Sequence, residues 1–298
     1  MPEKTMRRLA KPMLLLAAII WGSSFFIMKN TVDAIPPLFL LAVRFTIGTV
    51  LMGLLCWKKW KELTRDYFWR GAIIGACLFS AYVIQTFGLQ YTTPSNNAFL
   101  TAVYCVLVPF MCWLAVKRKP DIYNVLAAVL CVAGIGFVSL TEQFTIQIGD
   151  TLTLVAAVLY AAHIVAVEKY SPGKDIYLIT TFQFLYSAIY SWIGVALTDC
   201  VPASVPGEVW TALFYLGIMC TTVALLFQNV GQIYSDPASA SVLLSLESVF
   251  GVLFSVALYG DPITGRLLLG FALIFVAILC SETKFAFLKK KDKAKAES

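Results

Sequence analysis

The chain has 298 residues, of which 59% are hydrophobic and only 13% charged, with a mean hydropathy of +0.80 and a formal net charge of +6. Such a composition cannot supply the water-facing surface of a soluble domain, so it excludes soluble enzymes and nucleic-acid-binding modules and points to an integral membrane protein. A bilayer core about 30 Å thick accepts about 20 helical residues and no unpaired backbone, so the long apolar runs are read as helices; they are continuous rather than alternating, which excludes a barrel.

The first run, in MPEKTMRRLAKPMLLLAAIIW, has the basic and apolar parts of a secretory signal, but no A-x-A-like site follows and GSSFFIM extends it, so a retained span is expected at 12–29. Polar and turn-forming clusters then set off spans at 37–57, 70–90, 95–116, 122–141, 150–168, 176–198, 209–230, 238–259 and 265–283. The connections are short and leave no room for a soluble catalytic domain. If the N-terminus is cytoplasmic, 20 of the 23 Lys and Arg residues fall on the cytoplasmic side, leaving Lys29 and Arg266 opposite and Arg44 within a span. That bias fits ten spans in a cell membrane with both termini cytoplasmic. The basic tail at 284–298 reads as a topology anchor or a lipid-headgroup contact.

Seven of the eight cysteines lie inside or at the ends of apolar runs, Cys200 being the exception, with no C-x-x-C pair and a single histidine in the chain. Neither a metal nor a cofactor is expected, and no GxxxxGK[ST] loop offers direct ATP coupling.

The chain repeats itself. AAIIWGSSFFIMK at 17–29 is echoed by AAVLYAAHIVAVE at 156–168, a displacement of 139, and YTTPSNNAFL at 91–100 by YSDPASASVL at 234–243, a displacement of 143. Two five-helix repeats are therefore expected at 12–141 and 150–283. Five is odd, so the second repeat runs inverted to the first. An all-α membrane protein of ten helices in two inverted repeats suits alternating access about a midplane site.

Arg44 and Glu247 are the ionisable residues deep within spans, where such groups cost several kcal/mol unless paired or facing water. They are candidates for substrate binding, with a structural tie between helices, or snorkelling of Arg44, as the other readings. Asn97, Thr101 and Tyr104 form a stripe at i, i+4, i+7, Tyr104 being the repeat mate of Glu247, while Gln85 and Gln228 are mates of each other. Together with Trp21, Tyr82 and Tyr160, which offer aromatic walls, these are the candidate substrate contacts. Glu247 and His163 are the candidates for proton coupling. Lys29 and Glu168 end the first and sixth spans at related positions on opposite sides, as gates or as interfacial anchors.

WGSSF at 21–25, VRF at 43–45, YTTPSNNAFLTAVY at 91–104, LESVF at 246–250 and YGDP at 259–262 resemble the drug/metabolite transporter superfamily, in its EamA branch, over residues 12–283. The resemblance implies ten helices, a cavity formed by spans one to four and six to nine with five and ten peripheral, and export of small metabolites. Lys119 and Asp261 stand where family helices often end in Leu-Gly-Glu, and Glu247-Ser248 replaces the usual Glu-Pro pair, which leaves the bend of the ninth helix open. The expected function is a non-enzymatic secondary transporter exporting amino acids or similar amphipathic solutes, with proton coupling as an option. An uptake carrier or an antiporter of phosphorylated or nucleotide-linked sugars is the alternative, and an intramembrane enzyme a distant one. The expected partners are a small-molecule substrate and membrane lipids, without nucleic acid; a homodimer is an allowed assembly.

Overall fold

The computed structural model describes residues 3–117, 119–140, 147–235 and 237–284, so the basic tail beyond Lys284 lies outside the described residues. These residues form ten helical spans: α1 (Glu3–Val32), α2 (Pro37–Leu55), α3 (Arg65–Gln90), α4 (Pro94–Ala102 and Tyr104–Val116), α5 (Ile122–Ser139), α6 (Ile148–Tyr170), α7 (Ile176–Thr198), α8 (Gly207–Tyr215, Leu216–Val223 and Ala224–Tyr234), α9 (Pro237–Phe254 and Ser255–Tyr259) and α10 (Gly265–Thr283). Nine are long and apolar enough to cross a bilayer outright, and α9 contains the shorter apolar stretch Leu243–Tyr259. The spans start where the sequence offers caps: Thr93, Asp121, Asp175 and Thr264 accept hydrogen bonds from the first-turn N–H groups of α4, α5, α7 and α10.

Three spans depart from a plain α-helix. In α4, Pro109 lacks an N–H and crowds the carbonyl of Cys105. The helix breaks just upstream, at Val103, whose N–H reaches Leu100 O at 3.4 Å while Val106 N–H bonds Val103 O at 3.0 Å. Segments Leu216–Val223 of α8 and Ser255–Tyr259 of α9 are π-helical, a form that appears mostly as single bulges and often at functional sites. Around Glu247, by contrast, α9 is unbroken, and Ser248 in the proline's place bonds its hydroxyl to Ser245 O at 3.0 Å.

The helices pack in pairs related by the repeat. α1 lies against α8 and α9, and its mate α6 lies against the mates of those helices, α3 and α4; α2 pairs with α7 and α5 with α10. One apolar core gathers mainly from α2, α3, α7 and α8, a second from α4, α5, α9 and α10. A polar cavity is left between them.

Candidate functional site

The cavity measures about 220 Å³ and is lined from α1, α2, α3, α4, α6, α7, α8 and α9, with nothing from α5 or α10. Arg44 enters it from α2 with 2% of its surface exposed. Gly48, one turn further along α2, lets α8 come close: a Cβ there would lie 2.8 Å from Thr221 Cγ2. The π-helical stretch turns Thr221 towards the guanidinium, where its Oγ1 accepts from Arg44 Nε at 2.9 Å and donates to Leu216 O, five residues back, at 2.9 Å. Arg44 Nη1 lies 3.2 Å from Met28 Sδ, Nη2 lies 3.4 Å from the Tyr82 hydroxyl, and the guanidinium sits 4.8 Å from the Tyr82 ring centroid. Four helices thus enclose the cation, which removes the snorkelling alternative. Among the described residues it has no ion-pair partner.

Glu247 faces the same cavity from α9, which Tyr104 lines from α4. Between the two charges runs an aromatic wall. Phe45 and Tyr82 meet edge to face with centroids 5.3 Å apart, Tyr82 and Tyr160 likewise at 5.3 Å, and Tyr104 lies 6.1 Å from Tyr160. Gln85 ties this wall together, accepting from the Tyr160 hydroxyl at 2.7 Å and donating to Thr101 Oγ1 at 2.9 Å. Trp21 also lines the cavity, its indole N–H donating to Cys220 O at 2.7 Å, and Gln228 lies on the α8 side. His163 is held by Gln183 at 3.1 Å.

Of the residues expected at the site, the structure brings together Arg44, Glu247, Trp21, Tyr82, Gln85, Thr101, Tyr104, Tyr160, Gln228 and His163. Asn97 is not among them. It is fully buried one turn nearer the start of α4 and donates to Thr153 Oγ1 of α6 at 2.8 Å, so depth rather than helical face removes it from the cavity. Sequence reasoning missed Met28, Thr221 and Gln183. Gln183 carried a signal, since the displacement of 139 lays it on Arg44. Thr221 carried none, because the π-helical turn that aims it has no periodicity to read.

The cavity has unlike ends. Towards the C-terminus of α1 it is sealed. Lys29, a buried lysine, donates from Nζ to Leu89 O and Gln90 O, both at 3.0 Å, and lies 3.8 Å from Asp33, while Gln90 reaches back to Val32 O at 3.4 Å. A cation on the carbonyl end of α3 is favoured by the helix dipole. Beside it Thr92 donates to Asp150, Ser95 N–H donates to Asp261 Oδ2 at 3.0 Å, and Gly149 presses on the Tyr91 backbone, where a Cβ would lie 2.4 Å from the carbonyl carbon. At the other end the cavity widens into a vestibule of about 680 Å³, sharing Tyr104, His163, Gln183 and Gln228 with it and reaching Ser171, Ile176 and Glu282 at the helix ends.

Ten membrane-crossing helices around a polar cavity, sealed at one end and wide at the other, define a multi-pass transporter rather than a pore. The EamA-like transporter family matches the chain twice, over residues 9–140 and 147–283, and the chain belongs to that family. A protein of Archaeoglobus fulgidus described as an uncharacterized transporter is 34% identical over 270 residues, covering 89% of this chain and 83% of the relative. The uncharacterized transporter YoaV of Bacillus subtilis is 24% identical over 284 residues, covering 92% and 96%. A crystal structure sharing 19% identity superposes with a TM-score of 0.66 over 91% of this chain and 96% of that one, which shows a common fold.

Proposed function

We propose that the protein is a secondary transporter that exports small amphipathic metabolites, amino acids or similar solutes, across the cell membrane by alternating access. The observation that carries this is the placing of Arg44, without a counter-ion among the described residues, and Glu247 in one cavity with an aromatic wall between them. A solute with a carboxylate at one end, an ammonium at the other and an apolar body between is complementary to it. A charged hydrogen bond contributes about 1.5–3 kcal/mol, enough to select such a solute over a neutral one by roughly tenfold to a hundredfold. A phosphorylated or nucleotide-linked sugar fits less well, because among the described residues Arg44 is the one Lys or Arg side chain lining the cavity.

With the N-terminus cytoplasmic, as the lysine and arginine bias favours, the sealed end is external and the vestibule opens to the cytoplasm, the posture of an exporter waiting to load. Glu247 and His163 are the groups through which a proton gradient would act. The reading of a carrier rather than an enzyme is supported by the family match and by relatives named as transporters.

The test is transport into proteoliposomes of a panel of amino acids and cationic dyes, with and without a proton gradient. Arg44→Gln should cut transport of carboxylate-bearing solutes about tenfold or more, and Glu247→Gln should abolish any response to the gradient. If both variants match the wild type for every solute, the site is wrongly assigned; full activity in Arg44→Gln alone returns that arginine to a purely structural tie.

A further inference from the structure

The membrane face onto which the vestibule opens also carries the connection between α2 and α3, which folds into a single 3₁₀ segment, Trp57–Glu62, of sequence WKKWKE. Its cations and those beside it divide into two groups. Lys59 is ion-paired with Asp175, Lys174 lies 3.0 Å from Asp66, and Arg70 donates to the carbonyls of Tyr170 and Pro172 at 3.1 and 3.2 Å. These hold the α2–α3 connection to the one between α6 and α7. Lys58, Lys61 and Arg65 are left over, exposed and without an ion-pair partner among the described residues; Glu62 is the one acid between them.

Side chains three apart eclipse in a 3₁₀ turn, so Trp57 and Trp60 share one edge of the segment and Lys58 and Lys61 the next. Trp57 is 66% and Trp60 50% exposed. Neither indole swings freely: Trp60 donates to Gly53 O at 3.1 Å, and Lys58 sits 5.6 Å over the Trp57 ring. Phe68 and Trp69 on the first turn of α3 are also exposed. Indoles at the level of the headgroups with uncompensated cations beside them match an anionic phospholipid, whose acyl and glycerol part meets the rings while its phosphate meets the charges. A soluble anion would use only half of this surface.

We infer that the segment from Trp57 to Arg65 is a docking surface for anionic phospholipid headgroups, at the membrane face of the vestibule. Lys59, in the same turn, is tied to Asp175 one residue before Ile176 of the vestibule wall, so a bound lipid braces the mouth of the cavity.

The test uses the full-length protein in neutral detergent, following its melting temperature as phosphatidylglycerol, phosphatidylcholine or inorganic phosphate is added. Phosphatidylglycerol alone should raise it. The triple variant Lys58→Gln/Lys61→Gln/Arg65→Gln should need about a hundredfold more of that lipid, since each of the three basic side chains near an anionic surface strengthens binding roughly fivefold, while Lys58→Arg/Lys61→Arg should behave as the wild type. Equal shifts with phosphatidylcholine, an equal shift with inorganic phosphate, or an unchanged lipid requirement in the triple variant would each overturn the inference. Should the triple variant not fold, brominated phosphatidylglycerol must quench the wild-type indoles more than brominated phosphatidylcholine does, with the excess lost in Trp57→Phe/Trp60→Phe; equal quenching by the two lipids refutes it.

Discussion

The two ends of the cavity are built from repeat-related positions and behave in opposite ways. At the sealed end, Lys29 caps the carbonyls of α3, and Thr86, Ala102 and Ser139 are buried among their neighbours. At the open end their mates are Glu168, Asn229, Ser245 and Glu282, and the last three line the vestibule. A carboxylate at the position of Glu168 cannot bind the carbonyl end of a helix as an ammonium does, because that end carries the negative pole of the helix dipole. The two ends, though related by the repeat, carry different side chains, and in this structure the end at Lys29 is the closed one.

The most disruptive way to break this contrast is Gly149→Val. Its side chain would meet backbone of Tyr91 and Thr92 at under 3 Å, where nothing flexible can yield. The seal should be destabilised by about 3 kcal/mol, read as a lower melting temperature and as labelling of a Thr101→Cys probe, in a cysteine-free background, by an impermeant maleimide from the sealed side. Lys29→Met comes next: it strands two carbonyls and should shift the balance towards opening by about 2–3 kcal/mol in the same labelling assay, with Lys29→Arg closer to the wild type. Asn97→Ala removes the bond from α4 to Thr153 just inside the seal and should cost about 1–2 kcal/mol of stability while leaving the KM for transported solutes unchanged; a raised KM would return Asn97 to the cavity.

The smallest effect lies at the open end. Burial pushes the Asp175 carboxyl up, but the hydrogen bond from Lys59 and the N–H groups of Leu178 and Tyr177 together outweigh it and hold it below the usual carboxylate range. A depressed folded-state value means that the contribution is complete above the unfolded value of about 4 and lost as the pH falls through the lower folded one. Stability should therefore be flat around neutrality and decline in acid, with Asp175→Asn removing about 1 kcal/mol at neutral pH and flattening part of the acid decline.

Hydropathy made the ten spans legible, because lipid leaves a long apolar run no option but a helix. Their ends were less so: α1 runs back to Glu3, since its basic first turns continue the helix beyond the apolar stretch that begins at 12. The break at Val103 had a signal in Pro109 that the reading of the spans did not use, whereas the two π-helical segments had none, being settled by packing between helices. At the site, Arg44 and Glu247 stood out by the cost of charge at that depth, and the aromatic and amide residues by symmetry and spacing. Periodicity reports the face of a helix and not the height along it, which is why Asn97 was grouped with Thr101 and Tyr104 although α6 closes over it.

The π-helical turn of α8 carries a further implication. Its mate in α3 is wound as an ordinary α-helix throughout, so of these two mates only α8 holds the extra residue of a π-helical turn. At 3.6 residues per turn, rewinding by one residue would rotate everything beyond it by about 100°, carrying Leu225 and Gln228 round the helix axis while letting go of Arg44 from Thr221. A single rewinding step would thus move the arginine's partner and the vestibule's lining together.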